Sequence, residues 1–454
     1  MMSFDKYIVK VDDSFKYCLK KIQDNQSGFV LVENENFQIV GVITDGDIRR
    51  VLIDENHNNL SLLEICNKNF ISSDESASFE SLYKILDNKI RFIPILDNQK
   101  RLLNIFDKKS LPLRDEKNIC TRSKSPVRIS FGGGGSDTTS YFTNNNGAVL
   151  NAAISIYSHC TLIKKDDKKI LINSLDLKLE IEYDDINDFN SKKDDFELFR
   201  ALIYVIKPDF GFELYIQSDF PIGTGLGGSA TVLSAIIGCF NELRIDKWNM
   251  YEISEIAYEA ERIHLNISGG WQDQYATVFG GINFMEFQSN DNLILPIKLN
   301  KDLLFEFQEN LVLCFTNSNH GDNDIHEDQK KNTLNKDIIE NIKINVDLVY
   351  EMKKTLLKGN LNGFGDLLNK AWNLKKSFSP FISNSYLDDI YNEALKNGSF
   401  GGKLLGAGGG GYFLFYTNYE NRNNLINWMN SKENLTYTPF EFTENGLYSW
   451  TLRN

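Results

Sequence analysis

The chain has 454 residues, and its 49 basic and 62 acidic side chains give a formal net charge of −13. This length is too great for one ordinary hydrophobic core and predicts two or three domains. The acidic balance argues against a nucleic-acid-binding protein, because the phosphate backbone is recognised through clustered Lys and Arg. The hydrophobic content of 42% and the six cysteines, none in a CxxC pair, exclude intrinsic disorder, a disulfide framework and a zinc site.

The N-terminus lacks the basic start and apolar stretch of a secretory signal peptide, so we expect a cytoplasmic protein. One charge-free run, residues 220–241, is long enough to span a membrane. Its first half consists largely of Pro, Gly, Ser and Thr, and only its second half is apolar. We therefore interpret the run as a polar glycine loop followed by a buried helix, and expect no membrane partner.

An internal repeat with an offset of 63 residues occupies the first hundred residues. Residues 29–32 align with residues 92–95, and residues 39–40 align with residues 102–103. Each half has the pattern of a helix, a strand, a turn, a strand and the start of a second helix. We expect the two halves to bury their apolar faces against each other in a domain covering residues 1–112. A charged, mixed stretch then predicts a linker at residues 113–121.

The segment from Gly41 to Ile48 in the first half resembles the strand-turn-helix signature of a CBS motif. The resemblance implies that Thr44 and Asp47 hold the ribose of a regulatory adenine nucleotide. The second half lacks the glycine and both polar residues at the equivalent positions. A structural role, or contacts that join copies of the chain into a homo-oligomer, is the alternative for this CBS pair.

The remainder of the chain is predicted to have an α+β fold, because strands come first and helices follow without regular alternation. Apolar residues spaced three and four apart, from Ile253 to Ile263, predict a helix over residues 247–264 with His264 in the core. The other predicted elements are strands at 127–131, 148–156, 160–163 and 212–217, helices at 337–357 and 385–396, and a final strand at 411–416.

Three glycine-rich loops lie at strand boundaries, at residues 132–137, 219–231 and 406–411. The second follows a predicted strand and opens an apolar helix. Glycines allow backbone N–H groups to approach an anion, and the helix N-terminus adds a partial positive charge. This loop is therefore predicted to bind phosphate, and the other two are predicted to converge on the same site.

The second loop also fits G-x-G-x-x-G, the dinucleotide-binding pattern, through Gly223, Gly225 and Gly228. A dinucleotide-binding unit requires a second strand and an acidic residue within about 30 residues. Here an amphipathic helix follows instead, which argues against a dehydrogenase. No Gly-Lys-Ser/Thr closes the loop, so it is not a P-loop either.

The three loops resemble, in order, the three motifs of the GHMP kinase superfamily. The segments that carry this resemblance are Pro126-Val127-Arg128 before the first loop, Pro221 to Ala230, and Lys403 to Gly408. The resemblance implies a two-lobed kinase, with a ribosomal-S5-like N-terminal lobe at 122–310 and a helical, ferredoxin-like C-terminal lobe at 311–454. It also implies ATP and Mg²⁺ as the requirements of phosphoryl transfer.

Segments 267–276, 374–377 and 401–411 are similar to the branch that phosphorylates C1 of D-glycero-D-manno-heptose 7-phosphate. This similarity implies a sugar 1-kinase that feeds nucleotide-activated heptose synthesis for surface polysaccharide. One alternative is a kinase of the same fold that acts on an unphosphorylated sugar such as fucose. The other is an inactive, nucleotide-sensing protein.

The resemblance assigns roles to residues around the second loop. Asp273 is the expected general base, and Arg128 is expected to fix it and offset charge on the moving phosphoryl group. Glu261 and Ser229 are the expected Mg²⁺ ligands, although a solvated helix acid and a helix cap are their alternatives. The expected ATP phosphate site is formed by Gly223, Gly225, Leu226, Gly227, Gly228, Ser229 and Ala230.

The acceptor is expected at the first and third loops. Asp137 matches the family acid that hydrogen-bonds sugar hydroxyls. Lys375 and Lys376 are the candidates for a distal phosphate, because a flexible point charge suits this group, and a solvated lysine pair is the alternative. The expected acceptor site also includes Gly134, Gly135, Ser136 and Gly408.

Overall fold

The computed structural model describes residues 4–53, 61–74, 76–77, 82, 85–86, 90–107, 119–318 and 336–452. The chain divides into two compact units, one formed by residues 1–112 with 244–246 and the other by residues 113–243 with 247–454. Residues 113–118 of the predicted linker lie outside the described residues. Among the described helices, none is both long and apolar enough to cross a membrane.

The first unit contains two small sheets whose strands follow the predicted repeat. In each sheet a two-stranded antiparallel hairpin is joined by a third, parallel strand, and the two hairpins start 63 residues apart. The ring of Phe29 stacks on Phe92, with 3.4 Å between ring centroids, and joins the two halves. The helix predicted before the second hairpin falls mostly on residues outside the described ranges. The strands are β1 (Ile8–Lys10), β2 (Phe29–Glu33), β3 (Ile39–Thr44), β4 (Ser73–Asp74), β5 (Phe92–Leu96) and β6 (Leu102–Asp107), and the helices are α1 (Phe15–Asn25), α2 (Asp45–Ile53) and α3 (Leu62–Ile65).

The second unit begins with an eight-stranded sheet centred on one long strand, β8. Strand β7 pairs along one edge of β8, while β11 and β12 share its other edge. Two separate strands were expected within β8, but Ser158 pairs with Ser125 of β7 and Ser218 of β11, so its polar residues continue the ladder. The strands are β7 (Cys120–Gly132), β8 (Gly147–Lys165), β9 (Ile170–Ser174), β10 (Leu179–Tyr183), β11 (Gly211–Ser218), β12 (Ile282–Phe287), β13 (Asn292–Pro296) and, from the C-terminus, β18 (Tyr448–Thr451).

The helices that follow this sheet cover it and complete its core. Helix α7 follows the second glycine loop and is almost entirely buried, as the charge-free sequence predicts. It packs against β7, β8 and two neighbouring helices, so its N-terminus is fixed relative to the sheet. The helices are α4 (Thr139–Phe142), α5 (Ile186–Ser191), α6 (Glu197–Ile206), α7 (Gly228–Glu242), α8 (Met250–Tyr258) and α9 (Gln272–Phe279).

A four-stranded sheet with flanking helices forms the C-terminal part, in the order β15-β16-β14-β17. The helices at 337–357 and 385–396 are confirmed to within a residue. The prediction that the strand near 411–416 is the last was wrong, because two strands follow it. The strands are β14 (Leu311–Phe315), β15 (Gly401–Leu404), β16 (Tyr412–Tyr416) and β17 (Thr436–Thr438), and the helices are α10 (Lys301–Glu309), α11 (Lys336–Leu357), α12 (Leu361–Lys376), α13 (Ser385–Lys396) and α14 (Tyr419–Asn430).

The predicted helix 247–264 changes character in its second half. Helix α8 begins after a capping box at Asn249 and continues as a π-helical turn from Glu259 to His264. The wider turn rotates the following side chains, so that Ile263 is 66% exposed and Glu261 is buried. The prediction of His264 in the core was therefore wrong, because the 3.6-residue period does not continue through the π turn.

Candidate active site

The second glycine loop forms one wall of a cavity of about 610 Å³. Gly223, Gly225 and Gly227 all have φ between +74° and +78°, a conformation that L side chains adopt only with strain. The loop ends at the N-terminus of α7, which no side chain among the described residues caps, and free backbone N–H groups at a helix N-terminus are suited to bind an anion. Leu226 and Ala230 are fully buried beneath the loop, and Leu226 anchors it in the core.

Arg128 and Asp273 meet next to this loop. Strand β7 carries Arg128, and Asp273 lies in the first turn of α9. Arg128 donates from Nε to Oδ1 at 2.8 Å and from a terminal nitrogen to Oδ2 at 2.7 Å, which is a bidentate ion pair. Its other terminal nitrogen donates to the Gly225 carbonyl at 2.6 Å. The pair thus ties the expected catalytic residues to the second glycine loop.

The expected metal ligands are also brought together. The Ser229 hydroxyl, at the start of α7, donates to one carboxylate oxygen of Glu261. Gln274 donates from Nε2 to the other oxygen at 2.7 Å, and Arg262 lies 3.5 Å from it. Glu261 is only 2% exposed, so the solvated-acid alternative does not describe it. The π turn, which the sequence pattern did not predict, points this carboxylate inward.

The first glycine loop holds Asp137 against the start of α9. Gly135 donates its backbone N–H to Oδ1 at 3.0 Å, and Gln272 donates its own to Oδ2 at 3.1 Å. Burial, followed by the nearby charge of Asp273, raises the pKa of the Asp137 carboxyl above its ordinary value. Gly134, Gly135 and Asp137 line the cavity, whereas the Ser136 hydroxyl donates to the carbonyls of Gly133 in the turn and Ala148 on β8.

The third glycine loop packs directly on the second. A side chain at Gly225 would lie 2.8 Å from the Leu405 carbonyl oxygen, so only glycine allows this approach. Gly406 and Ala407 line the cavity, while Gly408, with φ +129°, lies against Ile382. The third loop therefore shapes the cavity through its contact with the second.

The two candidate phosphate lysines are separated by the structure. Lys375 lines the cavity, but its ammonium donates to the carbonyls of Leu404 at 2.9 Å and Gly406 at 2.6 Å. Lys376 is not among the residues that line the cavity, and its ammonium lies 3.5 Å from Asp388. Lys375 thus fastens α12 to the third loop, and Lys376 belongs to a partly exposed ion pair.

Lys403 is a cavity residue to which the sequence analysis gave no role. It lies on β15, lines the cavity and is 5% exposed. Burial is the largest cause that lowers its pKa from 10.5 to about 7; the charge of Arg128 adds to this effect, and Asp137 opposes it. A lysine just before a glycine loop is the available sequence signal, but it does not indicate burial.

In the first unit, Thr44 and Asp47 lie at the junction of β3 and α2. Asp47 accepts from the Thr44 backbone N–H at 2.8 Å and from the Thr44 hydroxyl at 2.7 Å. Asp47 also pairs with Arg50 at 2.7 Å. The two residues predicted to hold a ribose are therefore in contact, and the hydrogen bonds between them fix the position of both side chains.

The cavity is lined by a glycine loop at a helix N-terminus, an Arg–Asp pair and a buried acid. These three features define a small-molecule phosphotransferase. Comparison with known families gives the same class. Residues 196–281 match the GHMP kinases N terminal domain, residues 352–433 match the GHMP kinases C terminal domain, and residues 1–54 match the CBS domain.

The chain is 37% identical over 337 residues to D-glycero-alpha-D-manno-heptose 7-phosphate kinase of Campylobacter jejuni, covering 73% of this chain and 99% of that enzyme. The chain belongs to the GHMP kinase family and is an ATP-dependent sugar kinase with an N-terminal CBS domain. The α+β fold predicted from the order of strands and helices is thereby confirmed, as is the GHMP kinase fold that the resemblance implies.

Solved structures agree with this assignment. A D-glycero-D-manno-heptose 1-phosphate kinase from Bacteroides thetaiotaomicron is 27% identical, with a TM-score of 0.61, over 74% of this chain and all of that one. Lactococcus lactis galactokinase in complex with galactose, at 20% identity and a TM-score of 0.59, covers 76% of this chain and 96% of its own, and shows the shared fold.

Proposed function

We propose that this kinase transfers the γ-phosphoryl group of ATP to the anomeric hydroxyl of a heptose 7-phosphate. The observation that carries the proposal is the bidentate Arg128–Asp273 pair beside the second glycine loop. The similarity to the Campylobacter jejuni heptose phosphate kinase over nearly all of its length supports the choice of acceptor. The product would feed nucleotide-activated heptose synthesis for surface polysaccharide.

Phosphoryl transfer requires a held donor, neutralised charge and an aligned acceptor oxygen. The second loop holds the donor phosphates through backbone N–H groups at the start of α7. Asp273 accepts the proton of the anomeric hydroxyl as its oxygen bonds to phosphorus. Arg128 fixes the Asp273 carboxylate and offsets negative charge on the phosphoryl group, and Asp137 receives hydroxyls of the sugar.

The residues near Ser229 fit a magnesium ion. Within the described ranges, no three His, Cys, Asp or Glu side chains converge into a site that could hold a metal alone. One buried carboxylate on Glu261 and the Ser229 hydroxyl are hard oxygen donors, and Mg²⁺ prefers such sparse ligation with water and phosphate completing its shell. These two residues would hold the ion, which neutralises phosphate charge when bound.

The proposal is tested by ADP release from MgATP with a sugar panel that includes heptose 7-phosphate, the free heptose, mannose, fucose and galactose. Phosphorus NMR assigns the phosphorylated position. We expect turnover on heptose 7-phosphate with a new anomeric phosphate signal. Turnover on a free sugar alone would replace this proposal with the fucose-type alternative.

We propose a regulatory adenine-nucleotide site at Thr44 and Asp47 of the CBS domain. Their mutual hydrogen bonds support it, because they hold both polar groups at the end of β3. Self-association through the CBS pair is the second proposed role of this unit. Sedimentation analysis of the full chain with and without AMP measures that association directly.

A further inference from the structure

Four basic side chains line the cavity, and three of them have protein partners. Arg128 pairs with Asp273, Arg262 donates to backbone carbonyls at Ile267 and Ser268, and Lys375 donates to the third loop. The side-chain ammonium of the fourth, Lys403, makes no hydrogen bond or ion pair with any residue that the structure describes, although Lys403 is only 5% exposed. Among the four basic groups of the cavity, its ammonium is thus the one for which the described part of the chain supplies no hydrogen-bond acceptor.

Two further polar atoms of the same cavity lack partners. The Ser130 hydroxyl is buried without a hydrogen bond, and Ser130 follows Arg128 by two residues, on the same face of β7. The side-chain oxygen of Gln272, next to Asp273, is likewise buried and unbonded. Buried polar groups are normally hydrogen-bonded, and a buried charge without a partner is costly. A ligand with oxygen atoms would satisfy the ammonium of Lys403 in this polar part of the cavity.

The surroundings of Lys403 indicate which substrate supplies these oxygens. The donor phosphates have the N–H groups of the second loop and the helix N-terminus for their negative charge. Lys403 instead interacts electrostatically with Asp137, the buried acid of the first loop, and with Arg128. An acid and an ammonium that line the same cavity match a polyol, whose hydroxyls donate to one and accept from the other.

We propose that Lys403 is a binding residue for the phosphoryl acceptor and that its ammonium donates to a hydroxyl oxygen of the bound sugar. This inference rests on the proposed function for the presence of a sugar in the cavity but not for the identity of that sugar. It extends the acceptor site from the first loop to β15.

The test compares wild type, Lys403→Met and Lys403→Arg in the full chain. Methionine keeps the length and removes the charge, and arginine restores a positive charge. Acceptor affinity is measured by calorimetry in the presence of a non-hydrolysable ATP analogue, using heptose 7-phosphate, the free heptose, and any other sugar of the panel that wild type phosphorylates. The KM values for acceptor and ATP are measured separately.

We expect Lys403→Met to weaken acceptor binding about tenfold or more, as is typical when a charged hydrogen-bond donor is removed, for phosphorylated and free sugars alike. The KM for ATP should stay near the wild-type value, and Lys403→Arg should restore part of the affinity. An unchanged acceptor affinity, an equal rise in both KM values, or a loss confined to phosphorylated sugars would overturn the proposal. If only the assignment of heptose 7-phosphate as acceptor is wrong, wild type will phosphorylate another sugar instead, and the Lys403 variants can then be tested with that sugar.

A pH profile separates binding from a purely structural role. The charged groups that act on Lys403 are Arg128 of β7 and Asp137 of the first loop, while Lys375 of α12 donates to the carbonyl of the next residue, Leu404. In wild type, kcat/KM for the acceptor should fall as pH rises through about 7, because the ammonium loses its proton. Lys403→Met should lack this step. A step that persists in that variant would overturn the assignment.

Discussion

The carboxylate of Asp273 receives two hydrogen bonds from the guanidinium of Arg128, at 2.8 and 2.7 Å, and this pair lies against Gly227 of the second loop. A side chain at Gly227 would come within 3.4 Å of both partners. The close approach places the expected base at the N-terminus of α7, where the donor phosphates are expected. The contacts among Arg128, Asp273 and Gly227 thus both position the expected base and place a positive charge beside the second loop.

Asp273→Asn should lower kcat about 100-fold or more, because an amide cannot accept the proton of the acceptor hydroxyl. The KM for ATP should change little, since asparagine keeps the shape of the side chain. Steady-state ADP release measures the rate, and calorimetry confirms retained ATP binding. Arg128→Lys serves as the companion variant, because lysine keeps the charge but not the bidentate geometry. A rate within a few-fold of wild type for Asp273→Asn would remove the base assignment.

Glu261→Gln should raise the Mg²⁺ concentration needed for half-maximal activity, because a carboxylate is the stronger ligand for a hard cation. The matched control is Glu259→Gln in the same π turn, whose carboxylate is 48% exposed and lies near His264. Activity is titrated with Mg²⁺ at fixed ATP. Equal Mg²⁺ requirements in the two variants would argue against Glu261 as a ligand.

The three loops were accessible from sequence because glycine spacing is a local signal, and Arg128, Asp137 and Asp273 were accessible through the resemblance to the GHMP kinase motifs. The contacts between the loops were not, since they join residues far apart in the chain. Lys375 and Lys376 show the limit clearly. Adjacent in sequence, they project differently from the end of α12, one onto the third loop and the other to Asp388.

The inward orientation of Glu261 was also beyond sequence reasoning. A hydrophobic period of 3.6 residues placed Ile263 and His264 toward the core, and this period fails wherever one extra residue enters a turn. Burial of Lys403 was missed for a related reason. A lysine is normally assigned to the surface, and only the packing of β15 around the cavity shows that this one is enclosed.

Gly225→Ala should weaken ATP binding and lower the thermal midpoint, because the added carbon would lie 2.8 Å from the Leu405 carbonyl oxygen and separate the second and third loops. Gly223→Ala is the matched control. Its φ is +74°, close to the +77° of Gly225, but nothing lies within 4 Å of its added carbon. The backbone strain is therefore shared, and only the clash differs. Calorimetry with ATP should show a larger loss for Gly225→Ala, and equal losses would mean that the loop contact is unimportant.

Asp47→Asn and Thr44→Val should each weaken AMP binding to the full chain about tenfold, because each removes a charged or hydroxyl partner from the predicted ribose site. AMP is the suitable probe, since it lacks the β- and γ-phosphates of ATP, the kinase's expected donor. Asp45→Asn, in the same turn of α2, is the control. Calorimetry measures the heat of binding. If wild type gives no heat with AMP, the CBS unit is better explained by its structural alternative.

Lys403→Met should raise the free energy of unfolding of the chain near neutral pH, although it weakens binding of the acceptor. Because burial lowers the pKa of Lys403 from 10.5 to about 7, the unfolded chain holds the proton more tightly than the folded one. Wild-type stability should therefore rise between about pH 7 and pH 10.5, and the full cost of burying the ammonium applies below pH 7. That cost is on the order of a few kcal/mol.

Thermal midpoints of wild type and Lys403→Met at pH 6, 7 and 9 measure this cost. The difference should be largest at pH 6 and 7 and smaller at pH 9. A variant less stable than wild type at pH 6 would mean that the ammonium supports the fold, whereas the expected gain in stability is what a group retained for binding should give.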